Sequence, residues 1–511
     1  MNEPSAKKYT RRAFIEVGAA AAVATQVVPG ATTAAGKNGG DALPFDDYAR
    51  HDGLGLAQLV ARAEVSAEEL LHAAIQRTEQ VNPQINAVVQ KLYDFAKQEI
   101  NRGLPDGPFK GVPFLLKDLG IHLAGTPNTY GSLFFKDSIA RDTSAVVDRY
   151  RQAGLVIFGK TTAPEFGTSG FCESALYGVT RNPWNLRHSP GGSSGGAGAA
   201  VAAGIAPMAN GSDIGGSIRC PSSCCGLFGL KPSYGRVPLD PEWSEMNTFH
   251  ALTRSVRDSA ALLDISSAGY TDNSFWRAPP AARPFSEEVS RPPGRLRIAL
   301  VRAPVSEITV HPEVAEALQD AAKLCESLGH FVEESKLPFS VQQVYAAATG
   351  VGTEITRWVG QREKELGRSV RPGELSAGIA EMVQENRKIS GEDYARGLEA
   401  LRQCRRMMAK FQIEYDLILS PTQAILPPKA SVQDLGAGDL SMDDTNNALA
   451  AFTFLYNVTG QPAMSVPLHW STTGLPVGVM FAGRFGDEAA LFRLAAQLEQ
   501  ARPWFGKRAP L

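Results

Sequence analysis

Gly191-Gly192-Ser193-Ser194-Gly195-Gly196 and, after a run of small residues, Gly211-Ser212-Asp213-Ile214-Gly215-Gly216-Ser217-Ile218-Arg219 are the stretch on which the reading of this chain turns. Eleven glycines fall in the 39 residues from Gly191 to Gly229, where average usage of about 7 % gives about three. Glycine lets the backbone approach a ligand closely and adopt positive φ. The N–H groups freed in this way can converge on a developing anion, and serines inside such a loop are candidate nucleophiles. A flexible Gly/Ser linker has a similar composition. Here, however, Val201, Ile205, Leu227, Phe228 and Leu230 interleave with the glycines and call for a packed core.

Outward from this block the chain alternates strand and helix patterns. Residues 112–116 form a short apolar run between Gly111 and Lys117 and read as a buried strand. Further strands are expected at 155–158, 296–301, 417–419, 464–468 and 477–481, the last two flanking a Thr472-Thr473-Gly474 turn. Ser66 and Glu69 make a capping box, with Val65 stapling onto Leu70, for a helix that should end near Gln80, before Pro83. Other helices are expected at 314–328, over much of 373–412, and at 488–500 with Asp487 as N-cap. The pattern predicts an α/β fold: a large, mixed, mostly parallel sheet covered by helices on both faces. Residues 36–511 should form one domain, with a core at about 50–295 and 416–505 and a smaller α/β insert at about 296–415.

Composition narrows the function. Of 511 residues, 43 % are hydrophobic and 20 % charged, which is globular composition. Lys and Arg number 51 against 53 Asp and Glu, a formal net charge of −2, so there is no electrostatic footprint for nucleic acid or for an acidic membrane surface. Six cysteines are too sparse for a disulfide scaffold. The first 35 residues read as an export leader: Lys7, Lys8 and the Arg11-Arg12 pair precede Phe14-Ile15 and an Ala/Val-rich run, in the manner of a twin-arginine signal. The expectation is a periplasmic protein with no stable membrane partner after leader removal.

The block from Gly191 to Pro238 resembles the signature of the amidase signature family. The resemblance extends over about residues 50–505. It includes Gly111-Val112-Pro113-Phe114-Leu115-Leu116-Lys117-Asp118, Asn182-Pro183-Trp184-Asn185, Gly229-Leu230-Lys231-Pro232 and Gly460-Gln461-Pro462-Ala463. Within the family, the chain is most similar to the bacterial branch named for 6-aminohexanoate-cyclic-dimer hydrolase. The resemblance implies the amidase signature fold and a Ser–cis-Ser–Lys triad. Ser217 would be the acylated nucleophile, Ser193 the bridging serine after a cis peptide bond, and Lys117 the base. It further implies an oxyanion hole from the N–H groups of Ile214, Gly215, Gly216 and Ser217, with Ser194, Asp213 and Arg219 supporting the loops. Segments near Gly125-Thr126 and Gly170-Phe171-Cys172 and the 300–450 region would line the substrate pocket. The implied partner is a small-molecule amide, with esters and cyclic amides also open, no cofactor, and a homodimer as the common family assembly.

The chemistry is coherent on the residues alone. A serine hydroxyl needs an adjacent base, and lysine serves only when neutral. Bringing its pKa from about 10.4 to about 7 or 8 takes roughly 3–4 kcal/mol of destabilisation of the ammonium, which the apolar run before Lys117 can supply. Other patterns are weaker. Residues 154–161 satisfy the Walker A spacing, but their large apolar centre belongs in a strand rather than around a phosphate. Residues 191–195 satisfy the nucleophile-elbow pattern but lack an apolar strand upstream. Cys220, Cys224 and Cys225 lack metal-ligand spacing and read as packed thiols, as do Cys325 and Cys404; His188 reads as a loop residue. Two other readings remain open: a catalytically silent periplasmic binding protein, and a subunit like glutamyl-tRNA amidotransferase A.

Overall fold

A computed structural model describes residues 43–241, 243–268, 278–435 and 439–511; the leader read at residues 1–35 lies outside these. Residues from Ala42 onward form one compact unit. Its strands are β1 (Val88–Lys91), β2 (Pro113–Lys117), β3 (Val156–Thr161), β4 (Glu173–Ser174), β5 (Gly178–Val179), β6 (Met208–Asp213), β7 (Phe228–Lys231), β8 (Thr248–Thr253), β9 (Arg297–Leu300), β10 (Phe331–Glu334), β11 (Leu417–Pro421), β12 (Ala463–Trp470) and β13 (Pro476–Gly483). Eleven of them build one sheet in the order β1-β3-β2-β6-β8-β7-β12-β13-β11-β9-β10, while β4 and β5 pair separately.

The expected large mixed sheet therefore forms. Its parallel pairs lie in two flanking groups, β3-β2-β6 and β11-β9-β10. From β6 through β8, β7, β12 and β13 to β11 every pair is antiparallel. The close β12–β13 connection through Thr472–Gly474, where Gly474 has positive φ, accounts for one of these pairs. Side-chain alternation separates two apolar clusters. Leu417 and Leu419 join the larger one and Ile418 the smaller; Val479 and Phe481 likewise face away from Met480 and Ala482. Each face of the sheet is thus packed. No helix among the described residues is long and apolar enough to cross a membrane.

Three expectations change. The helix capped by Ser66 runs Ala67–Ile85, through Pro83. Proline there forfeits one bond in the final turn only, and the buried Val81 and Ile85 hold that turn in the core. The segment read as an insert from 296 contributes β9 and β10 to the same sheet, so 297–334 belongs to the core architecture and the helices of 341–411 follow from it. The helical text of 373–412 divides into Ala377–Asn386 and Gly391–Phe411, the second carrying a complete Ser390/Asp393 capping box.

A buried ion pair ties the loop after β7 to the helix Glu488–Ala501. Glu488 accepts from Arg236 Nη2 at 2.8 Å, Arg236 Nε at 3.1 Å and Ser233 N at 2.9 Å, and its side chain is fully buried. Removing one member of such a pair strands the other charge, at a cost of about 3–5 kcal/mol. Glu488→Gln should lower stability to urea by that amount while leaving volume unchanged; an unaltered unfolding midpoint would show that the pair does not hold this corner.

Candidate active site

Parallel pairing of β2 with β6, with Leu115 opposite Ala209, brings the carboxyl ends of both strands to the same edge of the sheet. Lys117 ends β2 and Asp213 ends β6. Loops beyond strand carboxyl ends are where α/β sheets place ligands, and both glycine-rich segments lie here. Residue by residue, β2 is buried throughout, as its apolar run requires.

Lys117 is fully buried. Its Nζ donates to Ser193 Oγ at 2.7 Å and to Ser212 Oγ at 2.9 Å. Burial draws the amine down to about 7 from the ordinary lysine value, and the nearby Asp213 carboxylate returns only part of that shift. The Gly192–Ser193 peptide bond is cis. Gly192 is required where it stands, because a Cβ there would lie 2.5 Å from the Ser169 carbonyl oxygen. Ser194 stitches the two glycine segments together: its N–H donates to Ser217 O at 3.2 Å and its hydroxyl to Ser212 O at 3.2 Å.

Asp213 organises the second segment. Its Oδ1 accepts from Gly216 N at 2.9 Å and its Oδ2 from Ile218 N at 3.0 Å. Arg219 grips it with both arms, Nη2 to Oδ1 at 2.8 Å and Nε to Oδ2 at 3.0 Å. Burial alone would raise this carboxyl, but the Arg219 charge and hydrogen bonds hold it well below the usual range. Asn457 adds a donor to Oδ1 and another contact to Arg219. Thr453 closes the loop from outside by donating to Gly215 O at 2.6 Å. At Gly216, φ is 135° and a Cβ would come within 2.4 Å of Thr453 Oγ1, so only glycine fits.

The expected oxyanion donors divide. The Gly216 N–H is committed to Asp213, which removes it from the set. Those of Ile214, Gly215 and Ser217 take no partner among the described residues. Ser217 lines the same cavity as Ser193, and its hydroxyl makes no hydrogen bond among the described residues. The cavity measures about 330 Å³. Leu119, Phe166, Trp243, Ile355, Trp358 and Met382 give it an apolar wall. The expected contribution of the 300–450 region is present in Ile355, Trp358 and Asn446, among others, and Gly170 lines the cavity as read.

Four expected pocket residues lie elsewhere. Gly125 and Thr126 belong to a loop that folds back on residues 139–140, with Thr126 Oγ1 donating to Leu123 O. Phe171 and Cys172 are fully buried behind the cavity wall, where Cys172 packs against Gly195. The sequence reading gave no role to Ser212, Thr453 or Asn457. Only Ser212 carried a local signal, its place between Gly211 and Asp213. All six cysteines are buried free thiols, and residues 156–161 of the Walker-like text form buried strand β3. His188 is bound in a loop through Nδ1 and Pro427 O, and none of the eight histidines lines the cavity.

Known proteins resemble this chain over most of its length. The Amidase family model matches residues 69–492. A 6-aminohexanoate-cyclic-dimer hydrolase of Pseudomonas sp. (strain NK87) is 38 % identical over 480 residues, covering 90 % of this chain and 96 % of that protein. An acylamidase of Rhodococcus erythropolis is 34 % identical over 489 residues, covering 89 % and 96 %. A solved structure of 6-aminohexanoate cyclic dimer hydrolase superposes with a TM-score of 0.84 at 36 % identity, over 90 % of this chain and 99 % of that one. The chain belongs to the amidase family and is a hydrolase of carbon–nitrogen amide bonds.

The discharged amine has a thermodynamic signature. Unfolded, Lys117 binds its proton up to about pH 10.4; folded, it does so only up to about 7. Folding releases a proton between those values, so stability rises with pH across that window, and the cost of the lysine is largest at and below pH 7. Lys117→Met should therefore be more stable than wild type by about 3–5 kcal/mol near pH 7, with the gap closing toward pH 10. A gap that does not change with pH would mean the amine is cationic in the fold.

Proposed function

We propose that this amidase works through an acyl-enzyme built by Ser217, Ser193 and Lys117. Ser217 Oγ attacks the amide carbonyl carbon. Its proton passes to Ser193 Oγ as the Ser193 proton passes to neutral Lys117 Nζ. Ser212 accepts an N–H from Lys117; once the amine is neutral its contact with Ser193 runs the other way, the Ser193 hydroxyl donating to the Nζ lone pair. The carbonyl oxygen, now anionic, is met by the N–H groups of Ile214, Gly215 and Ser217. When the carbon–nitrogen bond breaks, the proton held on Lys117 returns through Ser193 to the departing amine or ammonia. Water then attacks the Ser217 ester by the same relay, releasing the acid and restoring the serine. The link from Ser217 to Ser193 closes in the substrate complex, where catalytic hydrogen bonds tighten.

The observation that carries this reading is a fully buried lysine amine 2.7 Å from the hydroxyl of a serine that shares a cavity with a second serine. Esters fit the same site, since their leaving group needs less protonation.

Ser217→Ala and Lys117→Ala should each lower kcat/KM on an aryl amide by about 10³-fold or more. A fluorophosphonate probe should label Ser217 in the wild type and leave Ser217→Ala unlabelled. Because the active species is the neutral amine, kcat/KM should rise with pH through an apparent value near 7. Full amide hydrolysis by either Ala variant, or labelling that survives loss of Ser217, contradicts the proposal.

We also infer that residues 1–35 direct export of the folded enzyme to the periplasm, on the strength of the Arg11-Arg12 pair and the apolar run after it. Arg11→Lys combined with Arg12→Lys should hold the enzyme in the cytoplasm on cell fractionation; unchanged periplasmic activity would overturn the assignment.

A further inference from the structure

One side chain in the cavity wall is out of character with the rest. Glu354 stands in the first turn of the helix Thr353–Leu366, is 6 % exposed, and lines the cavity among Ile355, Trp358 and Met382. Its Oε2 accepts from Gly352 N at 3.1 Å. Its own main-chain N–H also lies against the carboxyl, which takes no side-chain hydrogen bond and forms no ion pair among the described residues. Gln would serve the turn at Gly352 equally well, so that contact does not explain an acid. Burial raises the carboxyl above its usual range, and the Gly352 bond and the charge of Arg357 offset this only in part. An acid enclosed in an apolar wall with only the partial offset of Arg357 is unfavourable unless something that enters the cavity supplies a closer counter-charge.

We propose that Glu354 is a specificity-determining residue that reads the end of the substrate remote from the scissile bond, accepting N–H donors from a primary ammonium carried on an apolar chain. The substrate class is then an amide whose hydrocarbon arm ends in an amine. The wall of Leu119, Phe166, Trp243 and Met382 takes the methylenes, and Glu354 takes the charge at their end. A carboxylate-ammonium pair desolvated in this way discriminates strongly against an isostere that lacks the donor, because the carboxyl is then left unpaired. This inference deepens the proposed function and rests on it for the position of the scissile bond.

Three 4-nitroanilides separate the possibilities: 6-aminohexanoyl, heptanoyl, which replaces the ammonium by a methyl group, and 6-acetamidohexanoyl, which keeps a neutral N–H. The wild type should prefer the 6-aminohexanoyl over the heptanoyl anilide in kcat/KM, chiefly through KM. In Glu354→Gln that ratio should fall at least about tenfold. An unchanged ratio overturns the proposal, because a purely structural glutamate would affect both substrates alike. A loss on the acetamido substrate equal to that on the amino substrate also overturns it, since a neutral amide would then be what the glutamate reads. Binding to Ser217→Ala, followed by the fluorescence of Trp243 and Trp358, separates recognition from chemistry. 6-Aminohexanamide should bind at least about tenfold more tightly than heptanamide, and Glu354→Gln in that background should erase the difference. Equal binding of the two amides defeats the glutamate assignment whatever the catalytic serine does, whereas selective binding without turnover in the wild type would fault the acyl-enzyme reading instead.

Discussion

The candidate site depends on the contact between Asp213 and Arg219. Two glycines in sequence, Gly215-Gly216, have no intrinsic reason to hold one shape. The Asp213 carboxylate gives them one, because it accepts main-chain N–H groups from Gly216 and Ile218 while the Arg219 fork occupies both of its oxygens. Both side chains are wholly buried. A pair in that position is stable only when the remaining donors and acceptors are satisfied. Asn457 and Thr453, more than two hundred residues away in sequence, complete that requirement. The loop is thus held by its own residues and by a distant segment, and the N–H groups of Ile214, Gly215 and Ser217 are left without a partner among the described residues.

Within the same small region two buried ionisable groups take opposite states. Asp213 keeps its charge because a guanidinium sits against it. Among the described residues Lys117 has only hydroxyls within hydrogen-bond distance of its amine, and burial draws its proton off. The difference lies in the partner, not the depth. Neighbouring strands β2 and β6 end side by side, so this contrast is created by sheet register and needs no special backbone.

Much of this was legible in the sequence. Apolar runs bounded by glycine or charge located β2, β3, β12 and β13, because buried strands leave no other composition possible. The capping box at Ser66 marked a helix start by local chemistry, whereas the one at Ser390 lay unread inside a stretch that reads as continuous helix. The glycine segments stood out by their composition, and Lys117 was singled out by the family resemblance and by the apolar run before it. What sequence could not show is whatever depends on three-dimensional return. Thr453 and Asn457 look ordinary in helical text. Pro83 read as a stop, yet tertiary burial of Ile85 carries the helix past it. Phe171 and Cys172 were near the site along the chain but turned into the core, while Gly125 and Thr126 followed a loop whose direction no local pattern encodes. The antiparallel centre of the sheet is of the same kind, since strand sense is fixed by which strands meet.

The six cysteines bear on when a chain exported as proposed above would acquire its shape. Cys220, Cys224 and Cys225 share one short buried helix, and burial pushes the Cys220 and Cys325 thiols up to about 12, far from the thiolate state that oxidants attack. An extended chain delivered into an oxidising compartment would expose six reactive sulfurs with no native disulfide to form among them, and any bridge made there would be an error. A finished molecule presents none. For the export proposed above, the sulfur chemistry favours maturation in a reducing environment first and passage across the membrane afterwards.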